Sequence, residues 1–420
     1  MKRILSFIVV LITAGTLRAQ TIYPGGQSEI GTGNRAFALA NNHTALSAGV
    51  ADLYWNPAAL SFSVTREVEL SLYGIKLDNE SDYFGRMHSD DLQRFHIGSA
   101  GLSVALPTSR GGMTIAGSYS NPVLLDDVFR FSGTSELDDT ITGVERAYRV
   151  TGNLNYWTAG FGLQVAPNFG IGLATSLITG KGTADSYLDE EIFYPDGDTL
   201  PIYDNYIAEG RYIGYDLRVG LYYKTSIINA GLRLVVPQVI RYHDYASGIY
   251  DGYDIDGTDK YTMFAPYKGA IGISAVLPML TVSAEMRLTL PYDYLFPVEK
   301  IPHTSQASRF KTGAGIGIEV PLVVVPLIVR AGYSFDDLDL HPYAYDFVSR
   351  PDNVKEFDWS DAGMKVSRDL NRISAGIGYI TESMSFDLTY GMSTWGIATR
   401  TNLRQTYLLH RVLASVSVRF

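Results

Sequence analysis

The chain has 420 residues, a net charge of −10 and no cysteine. That length exceeds what one small core needs and admits several domains or one large closed sheet. The acidic balance argues against nucleic acid as a partner, and the absence of cysteine excludes a disulfide framework or a lipid anchored on an N-terminal cysteine.

In chain order, the first 19 residues read as a signal peptide. Lys2 and Arg3 precede the apolar run Ile4 to Ala14, and Thr16-Leu17-Arg18-Ala19 offers a cleavage point. That run is too short for a spanning helix, and no later stretch approaches the length of one. Residues 20–65 lack long two-residue alternation and are rich in small side chains, as in Ala36-Phe37-Ala38-Leu39-Ala40. Near their end lies Tyr54-Trp55-Asn56-Pro57-Ala58-Ala59-Leu60. Asn56 suits a helix N-cap and Pro57 the first helical position, so one or two helical turns are expected there. Tyr54 and Trp55 add apolar surface with polar tips.

From Glu67 on, period-2 alternation dominates. Between Leu280 and Leu290, Leu280, Val282, Ala284, Met286, Leu288 and Leu290 share one face, and Thr281, Ser283, Glu285, Arg287 and Thr289 the other. Fourteen such segments are expected, near 66–77, 97–106, 112–120, 157–166, 168–179, 213–224, 227–236, 267–277, 279–290, 310–320, 326–336, 371–381, 383–391 and 409–420. Most have the nine to eleven or so residues that a tilted strand needs to cross a bilayer. Connections alternate between long (78–96, 121–156, 180–212, 237–266, 291–309, 337–370, 392–408) and short. This is the pattern of an all-β, up-and-down, 14-stranded transmembrane β-barrel over 66–420, with residues 20–65 as a helical plug in its lumen. Closure is obligatory, because an open edge in hydrocarbon strands unpaired backbone groups.

With apolar positions facing lipid, the inward charges are Glu67, Glu69, Asp216, Arg218, Arg233, Glu285, Arg287, Glu319, Arg330, Arg372, Asp387, Arg411 and Arg419. Six acids against seven arginines suggest ion pairing inside a filled lumen more than a selective open pore. Closing strand fourteen on strand one places Glu67 within reach of Arg419. Tyr, abundant at 29 residues, suits strands and, with Trp, the two lipid–water boundaries.

Asn34 to Leu60, "NRAFALANNHTALSAGVADLYWNPAAL", resembles the N-terminal signature of the FadL-type superfamily of outer-membrane proteins. Ala51-Asp52, Tyr54-Trp55 and Asn56-Pro57-Ala58 match it in order and spacing. Ala59 departs from the commoner glycine, and the family's glycine-rich pattern is thin over 27–44. The resemblance implies an outer-membrane transporter for hydrophobic small molecules such as long-chain fatty acids, with the N-terminal segment as a hatch. It also implies a lateral exit near the third strand, where Gly117, Asn121 and Pro122 are the gate candidates. Pro cannot donate to a strand ladder. A PorV-like branch of the superfamily, acting in protein secretion or surface attachment, is resembled about as well, and a structural barrel is a third reading. The terminal Phe420, with apolar residues at every second position back to Val412, resembles the signal read by the barrel-assembly machinery.

Other motifs carry less. Gly31 to Ala36 fits a dinucleotide pattern without the required strand and helix. Asp251, Asp254, Asp256 and Asp259 cluster without Ca²⁺-loop spacing, because Met263 stands where the bidentate Glu belongs. The seven His form no metal set, and no nucleophile motif is framed. Neither a cofactor nor an enzymatic activity is expected.

Overall fold

The computed structural model describes residues 28–108, 111–137, 140–193, 197–250, 253–264, 267–290, 310–322, 324–337, 365–366, 369–398 and 403–420. The expected signal peptide (1–19), the expected connection 291–309 and most of the expected connection 337–370 (338–364 and 367–368) lie outside these residues. Fourteen antiparallel strands form a closed wall. They are β1 Glu67–Tyr83, β2 Arg86–Leu106, β3 Met113–Leu124, β4 Thr140–Ala166, β5 Phe169–Phe193, β6 Thr199–Lys224 and β7 Ile228–Tyr250. They continue as β8 Lys268–Leu277, β9 Leu280–Thr289, β10 Lys311–Leu322, β11 Leu327–Asp337, β12 Asp369–Ile380, β13 Met384–Ala398 and β14 Leu403–Arg419. Four further strands join the sheet: the two-residue Ser28–Glu29 and Lys365–Val366, and the longer Asp127–Leu137 and Tyr253–Phe264. β14 pairs with β1 from Leu403 opposite Tyr83 to Arg419 opposite Glu67, which closes the cylinder.

The expected strands are all present, but several expected long loops are strand. β4 to β7 run 27, 25, 26 and 23 residues, more than twice what a bilayer requires. The β1–β2 hairpin turns only at Phe84-Gly85, so 78–96 is ladder and not loop. Much of 121–156, 180–212, 237–266 and 392–408 is likewise paired. β8 to β12 keep to 10–12 residues, so the wall is tall on one side and short on the other.

The reason the extensions escape a periodicity search is a change of parity. Along β1 the odd residues face inward throughout. At the turn end these are Glu67, Glu69 and Ser71, while Val68, Leu70 and Leu72 are exposed outward. Beyond Leu72 the inward residues become Tyr73, Ile75 and Leu77, all buried, and the outward ones include Lys76, Asp78 and Glu80. The first arrangement suits a hydrocarbon surround with a polar lumen; the second suits a surround of water with an apolar core. Outward-facing aromatics flank the apolar band: Trp157, Tyr215, Tyr333 and Tyr390 towards the loop ends, Tyr223 and Tyr379 towards the turns.

Residues 28–63 lie inside the cylinder. Their helical content is small: α1 Asn34–Ala38, α2 Asp52–Trp55, and 3₁₀ segments at Gly49–Ala51 and Pro57–Phe62. The wall omits side chains where this segment leans on it. A Cβ on Gly172 would fall 2.2 Å from the Pro57 carbonyl carbon, and one on Gly231 would fall 1.9 Å from the Thr44 oxygen, both inside van der Waals contact.

Candidate functional site: plug, lumen and the β3 seam

The motif at the end of the plug is a set of fasteners. Asn56 adopts extended backbone and caps the 3₁₀ segment, its Oδ1 accepting from Ala58 N at 3.1 Å, with Pro57 first in the helix. Its Nδ2 donates to Thr44 O at 2.8 Å and across to Leu221 O of β6 at 3.1 Å. Asp52 is wholly buried and accepts from Ala48 N at 2.9 Å and from Ser47 Oγ at 3.1 Å; His43 Nε2 lies 3.2 Å away. Trp55 Nε1 donates to Thr32 O at 2.7 Å. The Tyr54 hydroxyl donates to the Glu29 carboxylate, which Lys268 Nζ meets at 2.8 Å. Burial, and then the Glu29 charge, hold the Tyr54 hydroxyl well above the ordinary phenol range, so it stays a donor. Ala58 and Ala59 are fully buried against Tyr222.

The inward charges bind wall to plug as well as strand to strand. Arg330 Nε meets Glu319 at 2.7 Å, Arg330 Nη1 reaches Asp387, and Arg35 of α1 joins Glu319 at 2.9 Å. Arg287 pairs with Asp336 at 2.7 Å, and Arg372 with the same carboxylate. Glu285 accepts the backbone N–H groups of His43 and Thr44 at 2.9 and 2.8 Å. Arg419 Nε lies 3.5 Å from Glu67 at the closure, and Phe420 is exposed beyond it. A polar cavity of ≈ 350 Å³ on the turn side of the plug is bordered by Glu67, Glu69, Asp387 and Arg419. On the loop side, cavities of ≈ 30 and ≈ 100 Å³ lie around Tyr54, Arg218, Lys268 and Arg287.

Arg411 differs from these. It is buried, its guanidinium lies 4.4 Å from the Phe37 ring centre and 4.7 Å from that of Tyr73, and Nη1 donates to Ile30 O at 2.7 Å. No carboxylate is within ion-pair distance among the described residues, and Nε has no partner. Around it stands an apolar cluster of inward side chains, including Ile30, Phe37, Tyr73, Ile75, Leu92, Leu124, Leu409 and Leu413.

The cluster abuts an interruption in the wall. β3 pairs with β2 from Met113 to Ser120 and then leaves it. Against β4 the register slips between Ser120 and Val123, which throws Asn121 and Pro122 out of the ladder. Residues 120–129 turn inward and are buried. There the plug takes the vacated place. Ser28 and Glu29 pair with Leu124 and Val123, and Ile30 N donates to Pro122 O at 2.9 Å. Above Ser99, β2 therefore has no backbone partner on this side among the described residues. Side chains bridge the seam: Arg94 to Asp126 at 2.6 Å, His88 to Ser132 at 3.1 Å, and Arg149 Nη2 to Asp91 O at 3.1 Å. Gly117 lies below in regular ladder, opposite Leu102 and Ala159. Sequence reading singled out Asn121 and Pro122 and placed Arg411 in the lumen, but did not bring Ile30 or Phe37 to it. The signal for the cluster was the parity change at Leu72–Tyr73. Asp254 and Asp256 are exposed on the rim strand Tyr253–Phe264 and Asp251 lies outside the described residues; no metal-holding group of side chains occurs among the described residues.

No protein-family model matches the chain, and no curated protein sequence matches it. Solved structures do. A FadL homologue from Pseudomonas aeruginosa aligns with a TM-score of 0.58 at 14% identity, over 94% of this chain and 99% of that one. The Pseudomonas putida toluene transporter TodX aligns with a TM-score of 0.60 at 15% identity, over 95% and 100%. The Ralstonia pickettii toluene transporter TbuX aligns with a TM-score of 0.60 at 15% identity, over 94% and 99%. The chain shares the fold of these FadL-type barrels along nearly its whole length.

Proposed function

We propose that the chain is an outer-membrane protein of the FadL type that takes up hydrophobic small molecules, and that its ligands are amphipathic acids such as fatty acids. The observation that supports this most is the junction of an apolar cluster with a wall interruption at Asn121-Pro122. In this reading residues 1–19 are cleaved on export, 20–65 are the hatch, and Phe420 marks the chain for the barrel-assembly machinery. Ligand enters among the loops, lodges where Ile30 and Phe37 now pack, and leaves sideways through the lower end of the seam, at Asn121-Pro122 just above the Trp157 level, into the outer margin of the membrane. Arg411 reads the carboxylate: a buried cation lacking a counter-ion is costly unless an anion joins it. The plug edge must move: the ≈ 390 Å³ cavity at His88, Arg130 and Ser132 lies out at the rim, the larger of the two cavities beside the plug around Tyr54 and Arg287 is ≈ 100 Å³, and even benzene takes a cavity of about 150 Å³.

Uptake into proteoliposomes tests each part. The natural chain has no cysteine, so Arg94→Cys with Asp126→Cys gives a single pair of thiols facing each other across the seam, to be joined by a reducible bis-maleimide that spans the length of the lost Arg94 side chain. Cross-linking should slow uptake at least tenfold and reduction of the linker should restore it. Arg411→Gln should slow fatty-acid uptake about tenfold and leave toluene uptake unchanged. Equal rates with the cross-link in place would remove the lateral exit. If neither compound moves, the secretion-partner reading of the same fold, which needs no path through the lumen, takes its place.

A further inference from the structure

The outer surface of the tall wall carries a row of basic side chains held in one register. Lys181 of β5 lies opposite Arg211 of β6. Arg211 lies opposite His243 of β7, and His243 opposite Lys260 of the rim strand Tyr253–Phe264. Directly opposed residues share a face, and all four are exposed. Arg241, two residues nearer the apolar band, is exposed beside Ile213. Only Lys181 has a carboxylate at hand, Glu209 at 2.9 Å. Arg211, Arg241, His243 and Lys260 have none within ion-pair distance among the described residues. Lys181 and Arg211 stand directly across a ladder, where like charges repel, and the chain as a whole is acidic, at −10. General basicity therefore does not explain the row. The other side of the barrel treats its cations differently: Lys76 is matched by Asp78 at 2.6 Å, and His410 faces the same carboxylate at 3.7 Å.

Height in the membrane supplies the occupant. Arg211 stands four residues beyond Tyr215, whose side chain is exposed in the loop-end aromatic band together with Trp157. At about 3.3 Å per residue the two are ~13 Å apart along the strand, and a tilt of about 35–45° leaves roughly 9–11 Å of height. The polar layer on each face of a bilayer is about 5–8 Å thick beyond the hydrocarbon. The row thus lies a few ångströms beyond that layer, within reach of long Lys and Arg side chains, and Arg241 lies inside it.

We propose that Arg211, Arg241 and Lys260, with Lys181 and His243 beside them, bind the phosphate groups of a phosphorylated lipid headgroup in the outer leaflet. Arg side chains can grip phosphate oxygens in pairs, and a juxtamembrane basic cluster is the usual footprint of anionic headgroup binding. One bound lipid would supply the counter-charge that Arg211, Arg241 and Lys260 lack. The inference rests on the outer-membrane part of the reading above and is independent of transport.

The test uses the full mature barrel in neutral detergent, titrated with diphosphorylated lipid A and followed by native mass spectrometry. Wild-type protein should hold the lipid at least tenfold more tightly than the triple variant Arg211→Gln, Arg241→Gln, Lys260→Gln. The difference should shrink as salt rises from about 0.05 to 0.5 M, because the contacts are exposed. Lys76→Gln should bind as the wild type does. Inorganic phosphate at the same concentration should not displace the lipid. Binding by the triple variant within twofold of the wild type would overturn the proposal, and so would displacement by inorganic phosphate alone. Insertion of every variant into phosphatidylcholine vesicles, scored separately, distinguishes failure of this site from failure of the membrane-barrel reading.

Discussion

Asn56 does three jobs with one side chain: it caps a helix, ties the plug to itself at Thr44, and ties it to the wall at Leu221. Asn56→Ala removes the cap, worth about 1 kcal/mol, and leaves buried carbonyls short of a donor at about 1–3 kcal/mol. We expect a lower unfolding temperature and faster protease cleavage between residues 28 and 63, with the barrel still heat-modifiable on gels. Aspartate at 56 would keep the cap but lose both donors, so Asn56→Asp should rescue little. Tyr54 gives a pH signature. Its folded pKa is raised above the unfolded value, so the stability it contributes is complete below pH ~10 and is lost as pH rises through the folded value. Tyr54→Phe should lower stability at neutral pH and flatten the alkaline limb of the unfolding curve. An unchanged alkaline limb would count against this assignment.

At the scale of elements, the strands within the apolar band were legible because outward apolar and inward polar residues keep strict alternation, as from Leu280 to Leu290. What lay beyond the band was not. From Tyr73 onward β1 still alternates, but with the apolar face reversed, and a search for lipid-facing periodicity stops there. The plug was legible as an interruption of alternation, and Asn56-Pro57 as a helix start. Its short 3₁₀ form and its fit against wall glycines depend on contacts between residues more than a hundred positions apart. The closure pair Glu67 and Arg419 could be placed because the register of β14 on β1 follows from which face is apolar. That Arg411, like Arg233, has no carboxylate within ion-pair distance among the described residues could not be foreseen, since nothing local says which inward arginines go unpaired. The band predicts where charge is tolerated. Ile273→Arg, outward at the middle of β8, should cost about 2–4 kcal/mol. Glu80→Arg, outward on β1 beyond the band, should stay within about 0.5 kcal/mol. Urea unfolding in lipid vesicles measures both.

For the whole molecule, the fold is a cylinder whose tall side, β4 to β7, faces away from its short side, β8 to β12. The interruption at Asn121-Pro122 falls where the wall begins to rise, and the plug is wired into it through Ser28 and Glu29. Removing residues 28–31 should therefore loosen β3 as well as the plug edge. Hydrogen exchange at Val123 and Leu124 should quicken while that at Ile115, paired on both sides, stays slow.

The reversal of faces along β1 also limits how such a hairpin can change length. Adding a single amino acid between Leu70 and Ser71 would rotate everything beyond it by half a turn, sending Ile75 and Leu77 into water and Lys76 and Asp78 into the interior. Adding two would leave every side chain facing its proper medium. The β1–β2 hairpin therefore changes length in steps of two unless a bulge absorbs the odd residue, as Gly98 of β2 does opposite Ser71 and Leu72.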